Sequence, residues 1–232
     1  MSSTYLELCN KALRRLNEVE IAQDDFASVR GIQALIKDAI KSSIAKINQA
    51  EFKWPFNAAE YTQTLVAGQT EYVWPDYFKV ADWNSFQLQK NEGLGVGYQT
   101  MDYIDREEWY KNYRDADYEA GGSGLGVPTM VFPAHGNGFG VTSSPNAAYS
   151  VRFRYFLNYS DLTNYNDVSR IPTTFDTLVV DGAMYHLYMF KDNMEATQAA
   201  YGAFEAGLKD LRTLYINTYN SVRDTRINRS RY

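Results

Sequence analysis

What most constrains this chain is a change of period along it. Apolar residues recur every three or four positions at both ends of the sequence, whereas roughly a hundred residues between the ends alternate aromatic and β-branched residues with polar ones. A helical stripe and a strand face each bury themselves against a partner layer of their own kind. The pattern therefore predicts helices at both termini and a separate β unit between them.

Thr4 and Glu7 have the spacing of a capping box, and Leu6, Cys9, Leu13 and Leu16 follow at helical intervals, which predicts a first helix over residues 4–17. Asp24 or Asp25 is available to cap a second, long helix in which Phe26, Val29, Ile32, Ile36, Ile40, Ile44 and Ile47 form one stripe. From Ala58 the texture is that of strands. A hairpin is expected around Ala67 to Gln69, further extended segments after Pro75, and a short helix within residues 99–118. A second hairpin is expected at Gly136 to Gly138, followed by a turn at Pro145 to Ala147 and a strand whose inward residues are Val151, Phe153 and Tyr155. Helices return after Ile171-Pro172, where Thr173 or Thr174 can cap. Phe175, Leu178, Val179, Val180, Ala183, Met184, Leu187, Tyr188 and Phe190 cover nearly the whole circumference of that helix, which predicts burial all round. Asp192 or Asn193 opens the last helix, with a stripe of Ala196, Ala199, Ala200, Ala203, Phe204, Leu208, Leu211 and Tyr215 whose small residues permit close packing.

The expected fold is α+β: a four-helix bundle of two N-terminal and two C-terminal helices, an inserted small antiparallel β domain, and an extended C-terminal arm. The expected boundaries are 1–57 and 158–216 for the helical parts, 58–157 for the β domain and 217–232 for the arm. The arm holds four arginines against one aspartate, a net +3, which leaves −8 for the rest of a chain whose total is −5. It reads either as a frayed, solvated terminus or as a segment that orders on an acidic partner.

At 232 residues with 45% apolar and 22% charged residues, the chain can bury a real core, and no apolar run is long enough to span a bilayer. The first residues mix charge among apolar positions and lack the uninterrupted stretch of a secretory signal, so the chain is expected to stay where it is made. One cysteine, Cys9, excludes an internal disulfide and a Cys-based zinc site, and its place on the first helix predicts a buried, inert thiol formed in a reducing cytoplasm.

No constellation for catalysis stands out. GLGVG at 93–97 and GGSGLG at 121–126 lack the Lys-Ser/Thr ending of a phosphate loop. Asp115, Asp117 and Glu119 begin like a calcium loop, but Ala120 and Gly126 replace its glycine and its bidentate glutamate. Glu107 with Glu108, and Asp102 with Asp105, are the carboxylate pairs a glycosidase would require. His135 reads as a turn residue and His186 as a satisfied core residue, with no nucleophile elbow beside either. The arginines gather only at the tail and on the first helix, at Arg14 and Arg15, against an acidic body, so sequence-specific DNA reading is not expected.

Taken in order, several segments resemble those of the podovirus head-to-tail adaptors, also called tail tubular protein A. They are TYLELCNKALRRLNEVEI at the start, FKWPFN at 52–57, LVAGQTEYVWPDYF at 65–78, GVPTMVFP at 126–133 and IPTTFDTLVVDGAMYHLYMFKDN at 171–193. The resemblance spans almost the whole chain. It implies a virion protein of a short-tailed bacteriophage, assembled in the host cytoplasm, with no catalytic role and no cofactor. It further implies a ring of twelve subunits between the portal and the tail nozzle, through whose lumen double-stranded DNA passes without sequence-specific binding. The arm would then dock on the portal and order there, through Tyr219, Arg223, Arg226, Arg229, Arg231 and Tyr232. Two other readings stand beside it: a tail-associated glycan or peptidoglycan hydrolase, and a carbohydrate-binding module that stacks sugars on Trp74, Trp83 and Trp109.

Overall fold

A computed structural model describes residues 3–92, 95–118, 124–158 and 162–216. It is a mixed α+β structure with six α-helices among the described residues, and the chain divides into two compact units. One is built from the described residues of Met1–Asn57 and Tyr159–Tyr232, the other from those of Ala58–Asn158.

The helical unit begins with α1, Tyr5–Arg15. The capping box is present: Thr4 Oγ1 accepts from the Glu7 backbone N–H at 3.2 Å, and Glu7 Oε2 accepts from that of Thr4 at 2.9 Å. The helix stops two residues before the expected end because Asn17 takes the left-handed conformation, φ 55°, and the Glu18 and Asn17 N–H groups close back onto the carbonyls of Leu13 and Arg14. The long second helix, α2, runs Ile32–Ala50 and starts later than its stripe suggested. Asp24 and Asp25 cap nothing there. Residues 23–28 are turns, and Gly31, at φ 62°, stands at the N-cap, a backbone state that a β-branched residue would resist. Phe26 is still buried, reaching the core from the turn and meeting Tyr5 edge-on at 5.1 Å.

Two short helices, α3 (Arg106–Asn112) and α4 (Arg114–Tyr118), lie in the β unit, and α5 (Asp176–Phe190) and α6 (Met194–Tyr215) complete the helical one. Neither Thr173 nor Thr174 caps α5, since a 3-10 turn at Thr173–Phe175 leads into it. Asp176 is buried instead, accepting from Ser3 Oγ and paired with Lys11 Nζ. α5 ends as α1 does: Asp192 has φ 56°, and the Asn193 and Asp192 N–H groups bond to the carbonyls of Tyr188 and Met189. Asn193 then caps α6 by accepting from the Ala196 N–H at 3.1 Å, so one residue both closes α5 and opens α6. α1, α2, α5 and α6 contribute to one core, from Tyr5, Leu8, Leu13, Ile40 and Ile47 to Val179, Ala183, Phe204 and Leu211.

The buried face of α6 differs from the alanine stripe. Thr197, Phe204, Leu208 and Leu211 are inside, while Ala199 and Ala203 face solvent. Close packing comes from glycines: a Cβ on Gly182 would lie 2.2 Å from Ser43 Oγ and 2.8 Å from the Phe204 ring, and one on Gly207 would touch Leu178 at 3.1 Å. Ser43 Oγ donates to the Val179 carbonyl at 2.8 Å across the α2–α5 contact.

The β unit holds a five-stranded and a four-stranded sheet. The first contains β1 (Ala58–Leu65), β3 (Phe78–Ala81), β4 (Gln87–Glu92), β5 (Gly95–Thr100) and β11 (Tyr149–Leu157). Its order is β1-β11-β4-β5, with β3 also paired to β11, and every pairing is antiparallel. The second has the order β2-β9-β8-β6, from β2 (Glu71–Val73), β6 (Asp102–Tyr103), β8 (Met130–Pro133) and β9 (Gly138–Thr142). Two-residue parallel pairings, β6 with β8 and β7 (Leu125–Gly126) with β10 (Ser144–Pro145), interrupt the antiparallel scheme. The expected hairpin at Ala67 to Gln69 is a turn between sheets: β1 pairs with β11 and β2 with β9. The hairpin at Gly136 to Gly138 joins β8 to β9. Residues of both sheets meet in one aromatic core in which Trp74 stacks on Phe78 at 4.1 Å and contacts Phe139 at 5.0 Å and Phe153 at 5.6 Å.

Gly182→Val is expected to lower stability by about 1–3 kcal/mol, because the α2–α5 approach leaves no volume there. A lower urea midpoint with an unchanged slope is the result to look for.

Candidate interaction surfaces

The residues singled out for docking, Tyr219, Arg223, Arg226, Arg229, Arg231 and Tyr232, lie outside the described residues, as do Glu119 and parts of both glycine-rich segments. The surfaces that the structure does describe lie on α1, α2, α5 and the outer face of the five-stranded sheet.

A cleft of about 470 Å³ runs between α1 and the start of α5, lined by Lys11, Arg14, Arg15, Thr173, Asp176, Thr177 and Val180. Its three cations are each met by an acid: Lys11 by Asp176, Arg15 by Asp181, and Arg14 by Glu20 at 2.9 Å. The helical stripe of α1 puts its apolar residues inward and leaves these side chains on the opposite face. Pairing removes most of the positive field they would otherwise present.

A groove of about 330 Å³ between α2 and the end of α5 is more apolar, with Leu35, Ala39, Leu187, Met189 and Phe190 beside Asp38, Ser42 and His186. Phe190 is 69% exposed, and Met189 and Met194 are exposed beside it, contrary to the expectation that α5 is buried all round. The helix closes at Phe190 and its buried positions end at Leu187, so its last turn carries Met189 and Phe190 out to solvent. Exposed methionine and aromatic side chains are the composition of adaptable protein contacts. Nothing in the periodicity separates these positions from core ones.

His186 is not the satisfied core residue that its place on α5 suggests: its Nε2 is shut off from water and has no hydrogen-bond partner among the described residues. Burial and the Lys46 ammonium both hold its pKa below the ordinary histidine value. Lys46 itself lies 4.6 Å from the centre of the neighbouring Tyr185 ring. His135 is exposed in the β8–β9 turn, as a turn residue would be.

On the sheet, Arg154 pairs with Asp82 at 2.9 Å and Arg152 donates to Gln87 Oε1 at 2.9 Å while lying over the Tyr98 ring at 4.3 Å. Glu60, Asn84, Ser85 and Gln87 share with them a shallow polar depression of about 270 Å³.

These geometries bear on chemistry. Asp102, Asp105, Glu107 and Glu108 are all exposed and line none of the three hollows described above. Trp74 and Trp109 are core residues; the latter stacks on Phe132 at 4.2 Å and donates its indole N–H to Asp117 at 2.8 Å. Trp83 is half-buried between Phe86 and Tyr103. Trp74 and Trp109 therefore present no open ring face on which a sugar could stack. Among the described residues no group of His, Cys, Asp and Glu is placed to hold a metal ion, and no helix is long and apolar enough to cross a membrane. Cys9 is wholly buried, and burial pushes its thiol pKa up to about 12.

The model of a protein family described as SU10 adaptor protein matches residues 3–230. No curated protein matches the chain.

Two outcomes follow from the site chemistry. The Cys9 thiol should fail to react with a thiol reagent in the native protein at mildly alkaline pH and react fully once the chain is unfolded. Because the folded state favours neutral His186, stability from that position is complete above the ordinary histidine pKa and is lost as pH falls through the lower, folded-state value. Unfolding curves taken at neutral pH and at about pH 5 should therefore differ more for the unaltered chain than for His186→Gln.

Proposed function

The chain belongs to the SU10 adaptor protein family, and on that premise we propose that this structural bacteriophage protein is the head-to-tail adaptor of a short-tailed phage, of the tail tubular protein A type. In this reading it forms a ring, of twelve copies, between the portal and the tail nozzle. Double-stranded DNA passes through the lumen during packaging and genome ejection, and the ring assembles in the host cytoplasm. The observation that carries the proposal is the extent of the family match, residues 3–230, which takes in both units and nearly all of the basic segment 217–232.

Several features support the finer points. α1, α2, α5 and α6 share one core, which suits a four-helix bundle packed beside its neighbours around an axis, with the β domain turned to the nozzle. Exposed Met189, Phe190 and Met194 on one unit and exposed tyrosines such as Tyr77, Tyr98 and Tyr110 on the other supply apolar contact area for neighbouring subunits. Among the described residues Asp102, Asp105, Glu107 and Glu108 are exposed and Trp74 and Trp109 are buried, which supports the adaptor reading over a hydrolase or a sugar-binding module.

The test is co-sedimentation of the purified chain with the portal ring of its own phage, reading stoichiometry from particle mass. Saturation near one adaptor per portal subunit is expected, and no association at all would remove the reading. Removing residues 217–232 is expected to abolish portal binding while leaving the urea unfolding midpoint unchanged, and Arg229→Glu with Arg231→Glu should weaken binding in the same direction. Full binding by the truncated chain would exclude the docking role of the arm.

A further inference from the structure

We propose that neighbouring copies join edge to edge through the five-stranded sheet, β5 of one copy pairing antiparallel with β1 of the next; this rests on the ring reading and names its subunit contact. Among the described residues both edges are open: β1 pairs only with β11, and β5 only with β4. The outermost residues of each strand are accessible, with Glu60, Thr62 and Thr64 exposed on β1, and Tyr98 and Thr100 exposed on β5.

An open edge is a template for another strand, and folded proteins normally blunt it with lysine, proline, an inward charge or shortness. The second sheet of this molecule does so by shortness: its edge strands β2 and β6 have three and two residues, and each begins with an acid. The first sheet takes none of these precautions. β1 is eight residues long, AAEYTQTL, with one charge, and β5 is six residues long, GVGYQT, with none; neither contains lysine, arginine or proline. Edges of this length, left unguarded beside guarded ones, fit strands that are covered in the working assembly.

The occupant follows from strand direction. Along the path β1-β11-β4-β5 each step is antiparallel, so over four strands β5 runs opposite to β1. The small rotation that relates neighbouring copies in a ring of many members leaves the direction of each strand nearly unchanged. A neighbour therefore brings its β1 to β5 in the antiparallel sense, continuing the sheet's own pattern without a change of hand. This contact is heterologous, one edge against a different edge, and so can close a ring, whereas β1 pairing with itself would stop at two copies and leave β5 open. The faces agree as well. Gln63 lies opposite Val151 and Gln99 opposite Leu88, both partners fully buried, so the two glutamines share the inner face and would meet at the junction. The Gln99 side-chain oxygen, shut off from water, has no hydrogen-bond partner among the described residues. Thr62 and Thr100 share the outer face.

Cysteine cross-linking of the full chain, bound to its portal ring, tests the pairing. Cys9 stays silent under the reagent because it is wholly buried. Thr62→Cys and Thr100→Cys replace exposed outer-face residues, and a bismaleimide with a span of about 7 Å tolerates a two-residue offset in register. The doubly substituted chain should give a ladder of covalent multiples extending well past the dimer. A mixture of the two single variants should stop at dimers, and neither single variant alone should cross-link. A dimer from Thr62→Cys alone would overturn the proposal in favour of β1 self-pairing. An assembly of full particle mass without a ladder would overturn the edge contact while leaving the ring reading intact; absence of any assembly of several copies would overturn both.

Discussion

The ladder between β1 and β11 is the constraint on which the rest of the molecule depends. Its register pairs Ala58 with Phe156 and Leu65 with Tyr149, so the first and last strands of the inserted segment lie side by side along eight pairs. The chain therefore leaves the helical unit and returns to it at adjacent points. A helical core assembled from both ends of a sequence requires such a neck, because otherwise the loop-closure entropy of some hundred residues would oppose the contact between α2 and α5. β11 also gives its other edge to β3 and β4 and its inward Val151, Phe153 and Tyr155 to the core shared with the second sheet, so one strand organises the whole β unit.

The helical unit answers this with a second tight contact. Ser43 and Gly182 bring α2 and α5 close enough for a side-chain hydroxyl to reach a backbone carbonyl, and Gly207 lets α6 settle against Leu178. Arg212 of α6 binds Glu51 at 2.7 Å and the Ala50 carbonyl at 3.1 Å, satisfying the C-terminal end of α2. The last helix thus closes the second. Apolar burial supplies most of the stabilisation, while these polar contacts select the arrangement that sustains it.

Much of this was legible in the sequence, and the failures have a common cause. The capping box at Thr4, the N-cap at Asn193, the hairpin before Gly138 and the alternation of Val151, Phe153 and Tyr155 all rest on contacts between near neighbours, which spacing records directly. The late start of α2 was hidden because Phe26 and Val29 keep the stripe going while Gly31 breaks the helix. The turn at Ala67 to Gln69 reads as a hairpin because local turn chemistry does not say which sheet the next strand joins. Phe190 reads as core because an exposed last turn has the same periodicity as a buried one, and His186 reads as satisfied because periodicity does not record whether a buried nitrogen finds a partner, which among the described residues its Nε2 does not. The alanines of α6 pointed to close packing, whereas glycines on α5 and α6 make it, and only the partner helix decides which face is inward.

Charge placement separates the body from the tail. In the described structure Arg14, Arg15, Arg154 and Arg212 each have an acid of the same chain within reach, and Lys11 has Asp176. Residues 217–232, by contrast, set four arginines against a single aspartate. Local pairing cannot neutralise that segment, and the acids of the body nearest the other arginines are already engaged. A guanidinium retains its charge at any physiological pH and binds carboxylates in a bidentate fork. In the docking role proposed for this segment, four such groups within sixteen residues would suit an acidic surface on the partner.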